Sequence, residues 1–161
     1  MRKTEGLKTL LEKHKYKGLI LGIRRDEQAM RAKERVFSPR KADGSWDFKD
    51  QPPEFWDQYK TDFPDGTHIR VHPLLHWTEL DIWEYTKAQN IPCVPLYFSR
   101  EGMRYRSLGE KNITFPIKSD ASNIDEIINE LRTTKTSERA GRSMDSETES
   151  SFETLRQRGY M

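Results

Sequence analysis

The chain has 161 residues, of which 34% are charged and 34% apolar, with a net charge of +2 and one cysteine. That length suits one domain with a lean core, and the 17 aromatic residues (7 Phe, 6 Tyr, 4 Trp) set it apart from a solvated disordered polymer. The lone Cys93 excludes an internal disulfide and any cysteine-built zinc site within the chain, and no apolar run approaches the roughly 20 residues of a membrane helix.

Charge is unevenly distributed. Residues 1–40 carry 12 Lys+Arg against 5 Asp+Glu, residues 41–98 carry 5 against 10, and the remainder is balanced at 11 against 11. A basic first quarter points either to a polyanionic ligand or to a solvated helix face. The N-terminal residues contain no apolar run and no small-residue cleavage site, so they do not read as a secretory signal, and the expected location is the cytoplasm.

In chain order, Leu7, Leu10, Leu11 and His14 follow helical spacing, which predicts a helix over 4–14 that stops by Gly18. LILGI (19–23) reads as a short, fully buried strand of a parallel sheet, and RRDEQAMRAKERVF (24–37) as helix-forming but without an apolar stripe, closed by Ser38-Pro39. Residues 40–67 read as an aromatic, proline-rich loop long enough to be functional or to cover a partner. HIRVHPLL (68–75) predicts a strand broken at Pro73. Thr78 with Asp81 three residues on predicts a capped helix over 79–89 ending before Pro92, and IPCVPLYF (91–98) is expected to run extended. Asn123 and Glu126, followed by Ile127, Ile128 and Leu131, predict a second capped helix over 123–132, and the rest reads as a polar tail.

Three groups of residues are suited to holding anions. Gly22, Arg24, Arg25, Asp26 and Glu27 sit at the end of the first strand, where ligands bind in open α/β sheets, and Arg31, Lys33 and Arg35 continue the cluster. Guanidinium forks match phosphate or sulfate oxygens, while the same string also reads as an ion-paired surface helix. Arg104 and Arg106, two apart on an extended segment, are predicted to share a side. Arg139 and Arg142 flank Gly141 in the tail. His68, His72 and His76 are four apart, but Pro73 interrupts any helical register, so no metal site is expected.

Five blocks then occur in order: GIRRDEQAMRAKERVFS, WDFKDQPPEFWDQY, IRVHPLLHWTELDIWEYTKAQNIPCVPLYF, RYRSLGEKNITFPI and TTKTSERAGRSMD, with a closing RQRGYM. Together they resemble the small-subunit family of bacterial sulfate adenylyltransferase, within the phosphoadenylyl-sulfate reductase-like PP-loop superfamily. The resemblance implies an α/β fold: the C-terminal part of an adenine-nucleotide α-hydrolase-like domain with a mostly parallel sheet (1–98), plus an irregular C-terminal extension that binds a partner (99–161). It implies the reaction of ATP and sulfate to adenylyl sulfate and pyrophosphate, with Mg²⁺ arriving with ATP and no permanently bound cofactor. Arg24 and Arg25 then form the catalytic centre with Asp26 and Glu27, the two acids orienting the arginines. Gly22, Arg31, Lys33, Arg35, Arg104, Arg106, Arg139 and Arg142 are implied to bind substrate. The implied partner is a GTPase large subunit, with neither nucleic acid nor membrane involved.

The sequence departs from the family at two places. The family's SGGKDS phosphate loop does not occur in it, so a separate PP-loop-bearing half is a further expected partner and the chain alone is expected to be inactive. Glu110 and Ile113 stand where relatives carry cysteines. The tail has no cysteine of the kind the reductase cousins use, which favours the transferase. The alternative reading is a non-catalytic module docking on that half or on the GTPase subunit.

Overall fold

The computed structural model describes residues 2–41, 45–46, 51–66, 68–109, 111–136 and 138–139. It divides into two compact units, Met1–Gly22 with Glu34–Leu75 and Ile23–Lys33 with His76–Met161.

The first unit contains helix α1 (Arg2–His14) and strands β1 (Gly18–Ile20), β2 (Phe37–Arg40) and β3 (His68–Val71). The α1 stripe is only partly covered: Leu7 and Leu11 are half-buried and Leu10 is exposed. The helix stops earlier than Gly18, because Lys15 turns into the left-handed region at φ 50° and its N–H bonds Leu11 O at 2.8 Å. The sheet order is β1-β3-β2, with β1 parallel and β2 antiparallel to β3. It is therefore mixed, where a mostly parallel sheet was expected. The loop from β2 to β3 needs no helical crossover, since the two strands run in opposite directions. Among the described residues β1 lies at the edge of the sheet rather than inside it, and Ile20 is 79% exposed.

Ser38 and Pro39, expected to terminate a helix, lie inside β2. The segment before them forms only a short 3₁₀ helix, Ala29–Lys33, which buries Ala29 and Ala32. Proline fits this strand because His72 N donates to Val36 O at 2.8 Å, and the antiparallel alternation then turns the nitrogen of Pro39 away from β3. Polar contacts tie the unit together. Glu54 in the long loop accepts the N–H groups of Val36 (2.7 Å) and Phe37 (3.0 Å). The buried Arg40 donates to Glu34 at 2.9 Å and to Ser38 Oγ at 2.6 Å, and its guanidinium lies 4.5 Å from the Trp46 ring centre. Fully buried His72 donates from Nδ1 to Arg35 O at 2.7 Å.

The second unit has the 3₁₀ helix, α2 (Glu79–Ala88), β4 (Met103–Arg104), β5 (Ile117–Lys118) and α3 (Ile124–Thr133). Both helix starts form as the sequence predicts. Thr78 Oγ1 accepts from Asp81 N, and Asp81 accepts in return from Thr78 N at 2.7 Å, which completes the capping box. Asn123 Oδ1 accepts from Glu126 N at 3.0 Å. The apolar core lies between these helices: Trp83 meets Ala121, Ile127, Ile128 and Leu131, with Leu80, Cys93, Tyr97, Phe98 and Ile124 packed around them. Residues 91–98 are not wholly extended, since Pro95–Tyr97 make one 3₁₀ turn. Glu101 and Gly102, at φ 55° and 75°, form the tight reversal between Arg100 and Met103, a conformation that glycine adopts at no steric cost. No helix among the described residues is long and apolar enough to cross a membrane.

Candidate functional site

The segment 24–28 belongs to the second unit, and its side chains meet the start of α2 and residues Glu138 and Arg139. Asp26 is the organising group. One oxygen accepts from Arg24 Nε at 2.9 Å and the other accepts the N–H of Glu79 at 2.6 Å. That amide lies in the first turn of α2, where N–H groups have no intrahelical acceptor and the helix dipole favours an anion. Asp26 thereby fixes Arg24 relative to α2.

Arg24, only 8% exposed, also donates from Nη2 to Glu138. Burial opposes its charge, but Glu138 and Asp26 outweigh that and push the guanidinium pKa further up. Glu79 is gripped by Arg106, from Nε at 3.0 Å to both oxygens and from Nη2 at 2.6 Å. Arg106 Nη1 reaches Thr136 O at 2.8 Å, and Arg139 Nη1 reaches Gln28 Oε1 at 2.7 Å. Glu27 lies 3.4 Å from Arg31 Nε. Burial pushes the carboxyls of Glu27 and Glu79 above the usual range against the pull of Arg31 and Arg106 respectively, and the nearby charge of Glu138 adds to the rise.

The result is an arginine–carboxylate network, with Arg24, Arg31, Arg106 and Arg139 set against Asp26, Glu27, Glu79 and Glu138. Such a network can exchange a carboxylate for another oxyanion, because the same forks match sulfate and phosphate oxygens.

The sequence-predicted residues are distributed unevenly about this network. Arg24, Asp26, Glu27, Arg31, Arg106 and Arg139 are in it. Arg25 donates to His76 Nδ1 at 2.8 Å, which leaves the ring proton of a neutral His76 on Nε2. Lys33 is half-buried at the end of the 3₁₀ helix. Gly22 and Arg35 belong to the first unit. A Cβ at Gly22 meets nothing within 4 Å, and Arg35 bonds Pro52 O at 3.2 Å and Glu34 O at 3.4 Å. Arg104 and Arg106 do not form a joint clamp. Arg104 is buried against Ser119 Oγ (3.0 Å) and Glu130 (2.6 Å) on α3, whereas Arg106 goes to Glu79 on α2. Each arginine has its own carboxylate at a different helix. Arg142, like Glu110, lies outside the described residues.

Sequence reasoning missed Glu79, Glu138, His76 and Gln28. Glu79 reads locally as an acid complementing the helix dipole, and nothing local to Glu138 signals a partner 114 residues away. Among the described residues no group of three or more His, Cys, Asp and Glu side chains is arranged to hold a metal ion. The first unit has a separate cleft of about 670 Å³, whose lining includes Lys8, Lys15 and Lys17 but equally Glu12, Asp62 and Asp65.

Residues 1–116 match the family model described as the phosphoadenosine phosphosulfate reductase domain. The sulfate adenylyltransferase subunit 2 of Geotalea daltonii is 42% identical over an alignment 187 positions long, covering 98% of this chain and 62% of that protein. Proteins of the same description from Trichlorobacter lovleyi (43%) and Brucella ovis (41%) align with the same coverage. The chain thus spans about 62% of the length of these relatives.

Proposed function

The chain belongs to the phosphoadenosine phosphosulfate reductase domain family, and on that premise we propose that it works as part of a sulfate adenylyltransferase small subunit. In the proposed reaction a sulfate oxygen attacks the α-phosphorus of MgATP, the bond from that phosphorus to the bridging oxygen breaks, and pyrophosphate leaves. Sulfate needs no deprotonation, so no general base is required. Two polyanions must be brought together, and the protein's task is positioning and positive charge.

The observation that carries this reading is the set of arginines built around Arg24 in the second unit, anchored by Asp26 to the start of α2. In this reading Arg24 and Arg25 bind the reacting oxyanions, Arg31, Lys33, Arg106 and Arg139 support them, and Asp26 and Glu27 orient the forks. Magnesium comes with the nucleotide. The α/β part, residues 1–98, serves as the C-terminal part of a PP-loop domain with further parallel strands, and residues 99–161 as the extension that meets a GTPase large subunit in the cytoplasm. The phosphate loop comes from a separate PP-loop-bearing half.

The test is calorimetric titration of MgATP with sulfate into the chain, alone and mixed with a PP-loop-bearing polypeptide. Binding in the mixture that is weakened about 10²-fold or more by Arg24→Ala is the expected result. Binding unaffected by Arg24→Ala and Arg25→Ala overturns the assignment of the anion site, and absence of binding in the mixture overturns the proposed activity.

A further inference from the structure

Three side-chain anchors, all within the second unit, fasten the segment after α3 to the arginine network. Arg106 Nη1 holds Thr136 O at 2.8 Å, Arg24 Nη2 holds the Glu138 carboxylate, and Arg139 Nη1 holds Gln28 Oε1 at 2.7 Å. The middle anchor is chemically distinctive. Glu138 brings a third carboxylate close to Glu27 and Glu79, whose charged forms it disfavours. It is nevertheless well buried there, its side chain 14% exposed, on an arginine side chain 10% exposed. Its attraction is to Arg24.

With Glu138 in place, the four arginines of the network face four carboxylates and the charges balance. With Glu138 withdrawn, one positive charge is in excess at Arg24: Nε stays on Asp26, and Nη2 is open to the oxygen of another oxyanion.

We propose that Glu138 is an internal occupant of the anion site: its carboxylate takes the place on Arg24 that a tetrahedral oxyanion takes, so that anion binding and release of Glu138 are one event. The inference rests on the proposed function, which makes Arg24 an anion ligand, and it adds an occupant that sulfate or pyrophosphate must displace. The closed state lowers apparent affinity by the fraction of molecules in which Glu138 is already released. A released fraction of about one tenth makes the loss about tenfold.

The experiment titrates sodium sulfate and, separately, sodium pyrophosphate into the wild-type chain, Glu138→Gln and Arg24→Ala, with sodium chloride held at matched ionic strength. Trypsin cleavage after Lys135 and Arg139 is followed with and without each anion. Glu138→Gln keeps the shape and removes the charge. It is expected to bind both anions about tenfold more tightly and to be cleaved quickly whether or not anion is present. The wild-type chain is expected to be cleaved slowly until anion is added.

Glu138→Gln binding within about twofold of wild type, with cleavage indifferent to anion, overturns the inference. If Arg24→Ala loses binding in that same experiment, the anion site of the proposed function survives without its internal occupant. If Arg24→Ala binds as wild type does, or if none of the three chains binds, the anion site and its occupant fall together.

Discussion

The two compact units differ in how much apolar core stands beside their ion pairs. In the second, α2 and α3 close an apolar cluster in which Ile127 is fully buried and Trp83 stacks edge-on against Tyr97 and Phe98. In the first, the sheet has three short strands, and its most buried groups are largely polar: Glu34, Ser38, Arg40 and His72 beside Leu75. Apolar burial tolerates small displacements because it has no direction, whereas a buried ion pair depends on both partners being present. The first unit should therefore fail abruptly when one polar partner is removed, and the cluster between α2 and α3 in proportion to the volume removed from it.

The largest expected effect follows from breaking the polar side. Glu34→Ala leaves the guanidinium of Arg40 buried beside Ser38, and is expected to cost about 3–5 kcal/mol. Hydrogen exchange should place that loss in residues 34–40 and 68–72 and spare α3. On the apolar side, Ile127→Ala should cost about 2–5 kcal/mol in urea unfolding, with lost protection across α2 and α3. Ile20→Ala, the same side chain at an edge where it is 79% exposed, should stay within about 0.5 kcal/mol. An Ile20 effect as large as that of Ile127 would break the comparison.

A smaller effect is expected at the caps. Asn123→Ala removes the acceptor of Glu126 N and should cost about 1 kcal/mol, as should Thr78→Ala at α2. The exposed pair Arg132–Glu84 between the two helices sits at the bottom of the scale, and Arg132→Ala is expected to change stability by less than about 1 kcal/mol.

Acid sharpens the contrast within the second unit. Burial raises the Glu79 carboxyl above its ordinary 4.5, so the folded chain takes up that proton before the unfolded chain does. The stability linked to Glu79 therefore grows as pH falls from neutrality toward 4.5, and it is lost again as pH rises past the folded value. Glu130 behaves in the opposite sense. Burial works against its charge, but bonds from Arg104 and Ser119 hold its pKa down, so its contribution is present above 4.5 and lost on acidification through the folded value. Melting temperatures of Glu79→Gln and Glu130→Gln against wild type, taken across both pH windows, should diverge in opposite directions. A common direction would contradict the two environments.

Sequence legibility follows the same division. The helices of the second unit announce themselves, since a cap, its partner three residues on and an apolar stripe are all local signals. Thr78 with Asp81 and Asn123 with Ile127, Ile128 and Leu131 are each contained within one or two turns. The site was half legible. Arg24, Asp26 and Arg139 stand out as charged residues without a core role, but what they grip does not. The partners of Arg24 and Arg106 are 114 and 27 residues away, and no periodicity encodes such a separation. The first unit misleads for a related reason. LILGI has the composition of an interior strand, yet position in the sheet, which no local window contains, makes it an edge. Ser38-Pro39 has the composition of a helix stop, yet an outward-facing nitrogen makes proline acceptable in a strand.

That outward nitrogen also gives the sheet a direction of growth. Along the free side of β2, the amide of Phe37 is already taken by Glu54 and Pro39 has no amide to offer. A strand approaching from that side finds no donor at two alternate positions, so the hydrogen-bond ladder cannot propagate there and copies of the chain cannot stack through that border. β1 lies at the opposite border of the same sheet. Any strand that joins this sheet, from the same polypeptide or another, is steered to the border of β1 where the backbone groups of Gly18 and Ile20 face outward.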